Sequence, residues 1–305
     1  MPVTPSTQCP LEPIDLHDLL DLRYKPNREQ YEGCAKNPVF KNFDWVIWLP
    51  DSARSCRIKT LNPDTILCLA HKKSFKILNA LGPLIKNATI VIAGADTNLS
   101  VFLSRINPDL IRNNRIFYEA KDIPHPEIKS FCMGYNQFYL QKAGISRIEK
   151  TIRRYEQGKY QKSGTLAAWG EHWPALDNKL SDRQNAGAFL ENSSFISRQH
   201  LTPTDYWEKL AQSLFLLAPA GQGVQAPKLA EAWLVGTVPI VTSTPCFEDL
   251  RDRGYPLMII NQWDELTAAQ LKKWESELHT IDWNSVRAQL TSTYFLSLIS
   301  RNSSR

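Results

Sequence analysis

The feature that most constrains this chain is a recurring pattern: a short unbroken apolar run that stops at a turn residue and gives way to a helical stretch. WVIWL (45–49) stops at Pro50-Asp51, and TILCLA (65–70) stops at His71-Lys72-Lys73. TIVIAG (89–94) stops before Asp96-Thr97-Asn98, and RIFYEA (115–120) before Lys121-Asp122. The pattern then restarts with TLAAWG (165–170), LFLL (214–217), VPIV (238–241) and LMII (257–260). Such runs suit strands of a parallel sheet covered on both faces, with helices as the crossovers. Helices are expected at 73–81, 97–105, 182–190, 266–278 and 283–299, with a short one at 14–23. A charged helix at 136–157 reads as a bridge between the two series, and 192–195 as an edge strand. A chain of 305 residues is comfortable for two cores. The expected fold class is α/β, with two Rossmann-like parallel-sheet domains facing across a cleft. The domains are expected at 1–150, with an arm over 1–40, and at 151–305. Ligands of open parallel sheets sit at the carboxyl ends of the strands.

Charge and cysteine content narrow the classes. The 36 basic and 31 acidic side chains leave +5, far below the excess of a nucleic-acid binder. The six cysteines are scattered with no CxxC pair, which argues against a zinc site. No run approaches the roughly 18–20 apolar residues that span a membrane, and the N-terminus lacks a signal-type apolar stretch. The chain therefore reads as cytoplasmic.

One unit carries chemistry. Residues 213–241 read SLFLLAPAGQGVQAPKLAEAWLVGTVPIV. The strand ends at Pro219, and a glycine turn follows at Gly221-Gln222-Gly223. A helix opens at Pro227 with Lys228 and Glu231, and Gly236 closes it. In such a unit the loop and the helix N-terminus offer backbone N–H groups and a positive dipole end to an anion. The plain alternative is a crossover whose glycines only make tight turns. A dinucleotide site wants an acid about 20 residues on, at the end of the next strand. That strand ends Val241-Thr242-Ser243-Thr244, without one. No GxxxxGK[ST], GxSxG or HExxH sequence occurs either. Lys228 and Glu231 share one helix face. Their neighbours Leu229, Ala230, Ala232 and Trp233 are too apolar for a surface helix, which favours a functional pair over a solvated one. Arg183, beyond the turn at Gly170, is either a second anion contact or a solvated helix-face charge.

GQGVQAPKLAEAWLVGTVPIV resembles the signature of exostosin-like glycosyltransferases, family 47. That signature is a strand, Pro-x-Gly-x-Gly, a helix with a basic residue and Glu-Ala, then Gly-x-x-Pro-Ile-Val. The similarity continues in FEDLRDRGYPLMIINQWDEL (247–266) and upstream in YWEKLAQSLFLLAP, more faintly in LAAWG. It covers about 160–270; the N-terminal half is similar only in strand rhythm. The family often has Asp where this chain has Gln225, and Arg where it has Lys228. Lysine keeps a phosphate contact but loses the bidentate fork. AAWGEHWPALD (167–177) also resembles compact exostosin-like enzymes of large algal viruses, some of which use UDP-xylose.

The resemblance implies a GT-B fold, a nucleotide-sugar donor and inversion at the anomeric carbon. It implies that Gly170, Arg183, Pro219, Gly221, Gly223 and Lys228 line the donor diphosphate, and that Glu231 holds the ribose hydroxyls, since a carboxylate accepts two hydrogen bonds from a vicinal diol. No DxD triplet occurs, so the chemistry is expected to be metal-independent, with no cofactor beyond the UDP-sugar co-substrate. An inverting transfer needs a general base. Asp51, His71, Asp96, Glu119 and Asp122 follow strands of the first half, and Asp96 is the first choice. Asp96 is equally well placed to cap the helix that follows it. The expected activity is transfer of a sugar, first guess xylose, from a UDP-sugar to a hydroxyl of a saccharide or glycoprotein glycan. The alternative is a non-catalytic glycan- or nucleotide-binding protein with a degenerate transferase fold. Acceptor, linkage and oligomeric state, a homodimer included, stay open.

Overall fold

The computed structural model describes residues 11–22, 38–49, 55–94, 97–170, 181–221 and 223–300. The first sheet contains β1 (Trp45–Trp48), β2 (Ser55–Ile58), β3 (Thr65–Leu69), β4 (Thr89–Ala93), β5 (Arg115–Tyr118) and β6 (Ile128–Lys129), in the order β2-β1-β3-β4-β5-β6. The second contains β7 (Thr165–Ala167), β8 (Phe215–Leu217), β9 (Val238–Thr242) and β10 (Met258–Ile260), wholly parallel, in the order β10-β9-β8-β7. Helices α1 (Lys72–Leu81), α2 (Leu99–Leu103) and α3 (Pro108–Arg112) belong to the first half, followed by α4 (Gln137–Ala143) and α5 (Ile145–Glu156). Helices α6 (Asp182–Asn192), α7 (Pro203–Ala211), α8 (Lys228–Leu234) and α9 (Pro245–Asp252) connect the strands of the second sheet. The chain closes with α10 (Ala268–Glu277), α11 (Trp283–Ala288) and α12 (Ser292–Ile299).

The first sheet is mixed, which corrects the all-parallel expectation. Strand β2 runs antiparallel to β1, with Trp45 opposite Ile58 and Trp48 opposite Ser55. The link between them is far shorter than the dozen or so residues a parallel crossover needs, so the chain can only turn back. Its sequence, SCRI, has no continuous apolar run, which is why it does not read as a buried strand.

Apart from β2, which lies outside β1, the strands of both sheets follow chain order across the sheet. The two faces of the first sheet are therefore covered differently. Trp45, Ile47, Ile66, Cys68, Ile90 and Ile92 point into the core shared with Phe75 and Leu78 of α1 and Leu99 and Phe102 of α2. The alternate residues Val46, Trp48, Leu67, Leu69, Val91 and Phe117 form a second cluster. Leu20 and Leu22 of the arm, Phe40, and Phe295 and Ile299 of α12 close that cluster. At roughly 1.5–3 kcal/mol per fully buried aliphatic side chain, these two layers dominate the stability of this half.

Four local expectations change, the first being the helix expected at 283–299, which breaks at 289–291 into α11 and α12. The helix expected at 14–23 is reduced, within the described residues 14–22, to one 3-10 turn, Leu16–Asp18, followed by isolated antiparallel bridges from Leu19 to Thr291 and from Asp21 to Gly134. Tertiary pairing overrides the helical spacing of the leucines, and the Tyr135 amide donates to Leu20 O at 2.7 Å. Gly134 permits this approach: its φ is 79°, and a Cβ there would sit 1.9 Å from Leu20 O. The charged stretch at 136–157 breaks at Gly144 into α4 and α5, and α5 buries Ile148, Thr151 and Ile152. Residues 192–195 do not form a strand; Arg198 makes a single parallel bridge to Ala167 instead.

Polar contacts join the halves. Lys121 pairs with Asp249 at 3.0 Å, and Asp249 also accepts the Ser130 amide at 2.7 Å. Arg287 donates to Glu12 O at 2.8 Å and also forms a buried ion pair with Glu156 of its own half. Among the described residues, no helix is long and apolar enough to cross a membrane.

Candidate functional site

The carboxyl end of the second sheet gathers three cations. Beyond β7 the chain runs Ala168-Trp169-Gly170, and each carbonyl accepts from a different side chain. Ala168 O accepts from Lys228 Nζ, Trp169 O from Arg198 Nη2 at 3.1 Å, and Gly170 O from Arg183 Nη1 at 3.2 Å. Lys228 opens α8. Arg198 is placed by its bridge to Ala167, and Arg183 lies in the first turn of α6. A capping box starts α6: Ser181 Oγ accepts the Gln184 amide while the Gln184 side chain accepts the Ser181 amide at 2.7 Å. Lys228 Nζ also lies 4.8 Å from the Tyr206 ring centroid, and Arg198 Cζ 5.3 Å from that of Trp169.

This clustering leaves a positive imbalance. Burial pushes the Lys228 ammonium down to about 8, and Arg183 and Arg198 push the same way, while Glu231 pulls it back up. Glu231 is buried at 5% exposure, facing the Tyr206 hydroxyl. Burial, and then the Glu231 carboxylate, push Tyr206 ionisation well up, so that hydroxyl stays protonated. An anionic ligand here would relieve the repulsion among the three cations.

The glycine loop lies against this cluster. A Cβ on Gly221 would sit 2.8 Å from Arg183 Nη2, so the guanidinium approaches this closely only over glycine. Pro219 and Gly223 are buried. Helix α8 behind the loop is seven residues long, with Pro227 at its N-cap and no side-chain cap bond. The positive charge thus comes from side chains more than from the helix end that the sequence pointed to.

Asp182 anchors the loop from the other side. Its Oδ2 accepts the Ala220 amide at 2.7 Å, and its Oδ1 the Trp263 indole N–H at 2.6 Å. Burial pushes this carboxyl up, opposed by the Ala220 amide, Trp263, the Thr242 hydroxyl and Arg183.

Gln225 ties the same loop to the first half. Its Nε2 donates to Glu119 O at 2.7 Å and Phe131 O at 2.8 Å, and its Oε1 accepts the Met133 amide at 3.3 Å. The position that departs from the exostosin-like pattern is a buried fastener here. An amide suits it because two carbonyls and one N–H must be met at once.

Of the first-half base candidates, Asp96 and Asp51 lie outside the described residues, as do Gln222 and 171–180. His71 caps α1 by accepting the Lys73 amide. Asp122 accepts the Ser100 amide at 2.9 Å and its hydroxyl at 2.6 Å, serving the start of α2. Glu119 is buried and accepts the Gly94 amide at 2.8 Å. Gly170, Arg183, Gly221, Lys228 and Glu231 lie near one another, with Pro219 and Gly223 in the same loop as Gly221. Arg198, Asp182, Tyr206 and Trp263 are additions. The Ser181-x-x-Gln184 box was the legible signal for Asp182, since it puts the next two residues in the first turn of a helix. Arg198 had none, because its place depends on one isolated bridge. Among the described residues, no three His, Cys, Asp or Glu side chains gather as a metal site.

No protein-family model matches this chain, and no curated protein matches it either. The arrangement of these side chains therefore carries the functional reading.

Proposed function

We propose that the chain is an inverting glycosyltransferase of GT-B type. It would move a sugar, xylose being the first candidate, from a UDP-sugar to a hydroxyl of a saccharide or glycoprotein glycan. The observation that supports this is the convergence of Lys228, Arg198 and Arg183 on three consecutive carbonyls beside the glycine loop, with Glu231 buried alongside. A departing nucleoside diphosphate gains negative charge as the C1–O bond breaks, and fixed cations in a partly dry site stabilise that charge. In this reading the side-chain cations, rather than a metal ion, meet the diphosphate. Glu231 accepts hydrogen bonds from the ribose hydroxyls. The second half, 151–305, holds the donor, and the first half, 1–150, presents the acceptor. Asp96, just beyond the Gly94 turn, takes the acceptor proton as the hydroxyl oxygen attacks C1 from the face opposite the leaving UDP.

The test is UDP release from a panel of UDP-sugars incubated with saccharide acceptors. Acceptor-dependent release from one donor supports the reading. UDP binding without turnover of any donor makes the protein a binding module, and failure to bind any nucleotide sugar overturns the donor site.

A further inference from the structure

We infer that Asp182 is the positioning residue of the anion site: one carboxylate that gathers the exits of all four strands of the second sheet. Asp182 opens the helix that follows β7. It accepts the Ala220 amide beyond β8 and the Trp263 indole beyond β10, and the Thr242 hydroxyl at the end of β9 lies beside it. These elements are far apart in sequence and meet at one side chain. The next residue, Arg183, reaches both Gly170 O and the face of Gly221. Asp182 thereby sets the separation between the turn bearing Arg183 and the loop at Ala220-Gly221. It does not touch the ligand; it fixes the groups that do. A carboxylate is suited to the task because it is acceptor-only, and every group aimed at it is a donor.

The inference rests on the anion site proposed above, though not on the nucleotide. Asp182→Asn keeps the size but offers one acceptor oxygen, so an NH2 must face either the Ala220 amide or the Trp263 indole, donor against donor. The α6 capping box uses Ser181 and Gln184 and is left intact. Trp263→Phe removes one donor and keeps the carboxylate. The measurement is calorimetric affinity for pyrophosphate and for UDP on the folded proteins, with hydrogen exchange at the Ala220 amide. Asp182→Asn is expected to weaken pyrophosphate by about tenfold or more and to speed Ala220 exchange, with Trp263→Phe showing a smaller loss of both. A purely structural role would lower the melting temperature and leave the affinity of the folded protein unchanged. Pyrophosphate affinity within about twofold of the native protein in folded Asp182→Asn overturns the inference. Native protein that binds pyrophosphate but not UDP sinks the nucleotide reading alone, and the variant still decides the role of Asp182. Native protein that binds neither sinks both.

Discussion

Replacing Gln225 by Glu tests whether the glycine loop is fastened to the first half as described. The change is nearly isosteric and swaps one NH2 for an oxygen. That NH2 donates to Glu119 O and Phe131 O, at 2.7 and 2.8 Å, in a site 3% exposed. The variant leaves two buried carbonyls facing a carboxylate. Each buried polar group left unsatisfied costs about 1–3 kcal/mol, so a loss of about 3 kcal/mol is a conservative sum. At roughly 2–4 °C per kcal/mol, the melting temperature at pH 7 should fall by about 6–12 °C. The desolvated carboxyl would titrate above its usual range, and its protonated form can again donate to one carbonyl. The deficit relative to native protein should therefore shrink as the pH is lowered from 7 to 5, both proteins being melted in parallel. A melting temperature within about 1 °C of native at pH 7 would refute the fastening.

The anion site gives further expectations. Lys228 ionises in the folded protein near 8, below its ordinary 10.5, so it loses its charge as pH rises through about 8. UDP keeps its charge over that range because phosphate ionises near 6, so UDP affinity should drop about tenfold between pH 7 and 9 if that charge is fully used. Lys228→Met should flatten the profile. Without ligand the same shift acts on folding with the opposite trend: the unfolded chain holds this proton more tightly, so the Lys228 contribution improves as pH rises from about 8 to 10.5. Glu231→Ala should weaken UDP by about ten- to hundredfold in calorimetry through the lost ribose contacts, and unchanged affinity would remove Glu231 from the donor site. Asp96→Asn should abolish transfer while sparing UDP binding, and near-normal turnover would remove it as the base.

How much was legible follows from the range of the forces involved. Strands buried on both faces announce themselves as continuous apolar runs: β1, β3, β4, β5, β7, β8 and β10 fall within the runs quoted for them, and β9 extends one residue past its own. Strand β2 is a half-exposed edge and the two-residue β6 is too short, so neither leaves such a run. The leucines at 16, 19, 20 and 22 have a spacing that fits a helix, yet only Leu16 lies in a helical turn, because Leu19 and Asp21 bridge to Thr291 and Gly134, far away in sequence. The loop and helix at 219–231 were readable because glycine, proline and charge lie within a dozen positions of one another. Arg198, Asp182 and Trp263 enter the site through contacts spanning 29 to 81 positions, which no local motif encodes.

The central claim is that the three cations at Ala168–Gly170 hold a diphosphate. Calorimetric titration of the native protein with UDP and with uridine at pH 7 tests it most directly. UDP should bind at least about a hundredfold more tightly than uridine, and an Arg183, Arg198 double substitution to Ala should erase most of that difference. Equal affinity for the two ligands, or no binding of UDP, would contradict it.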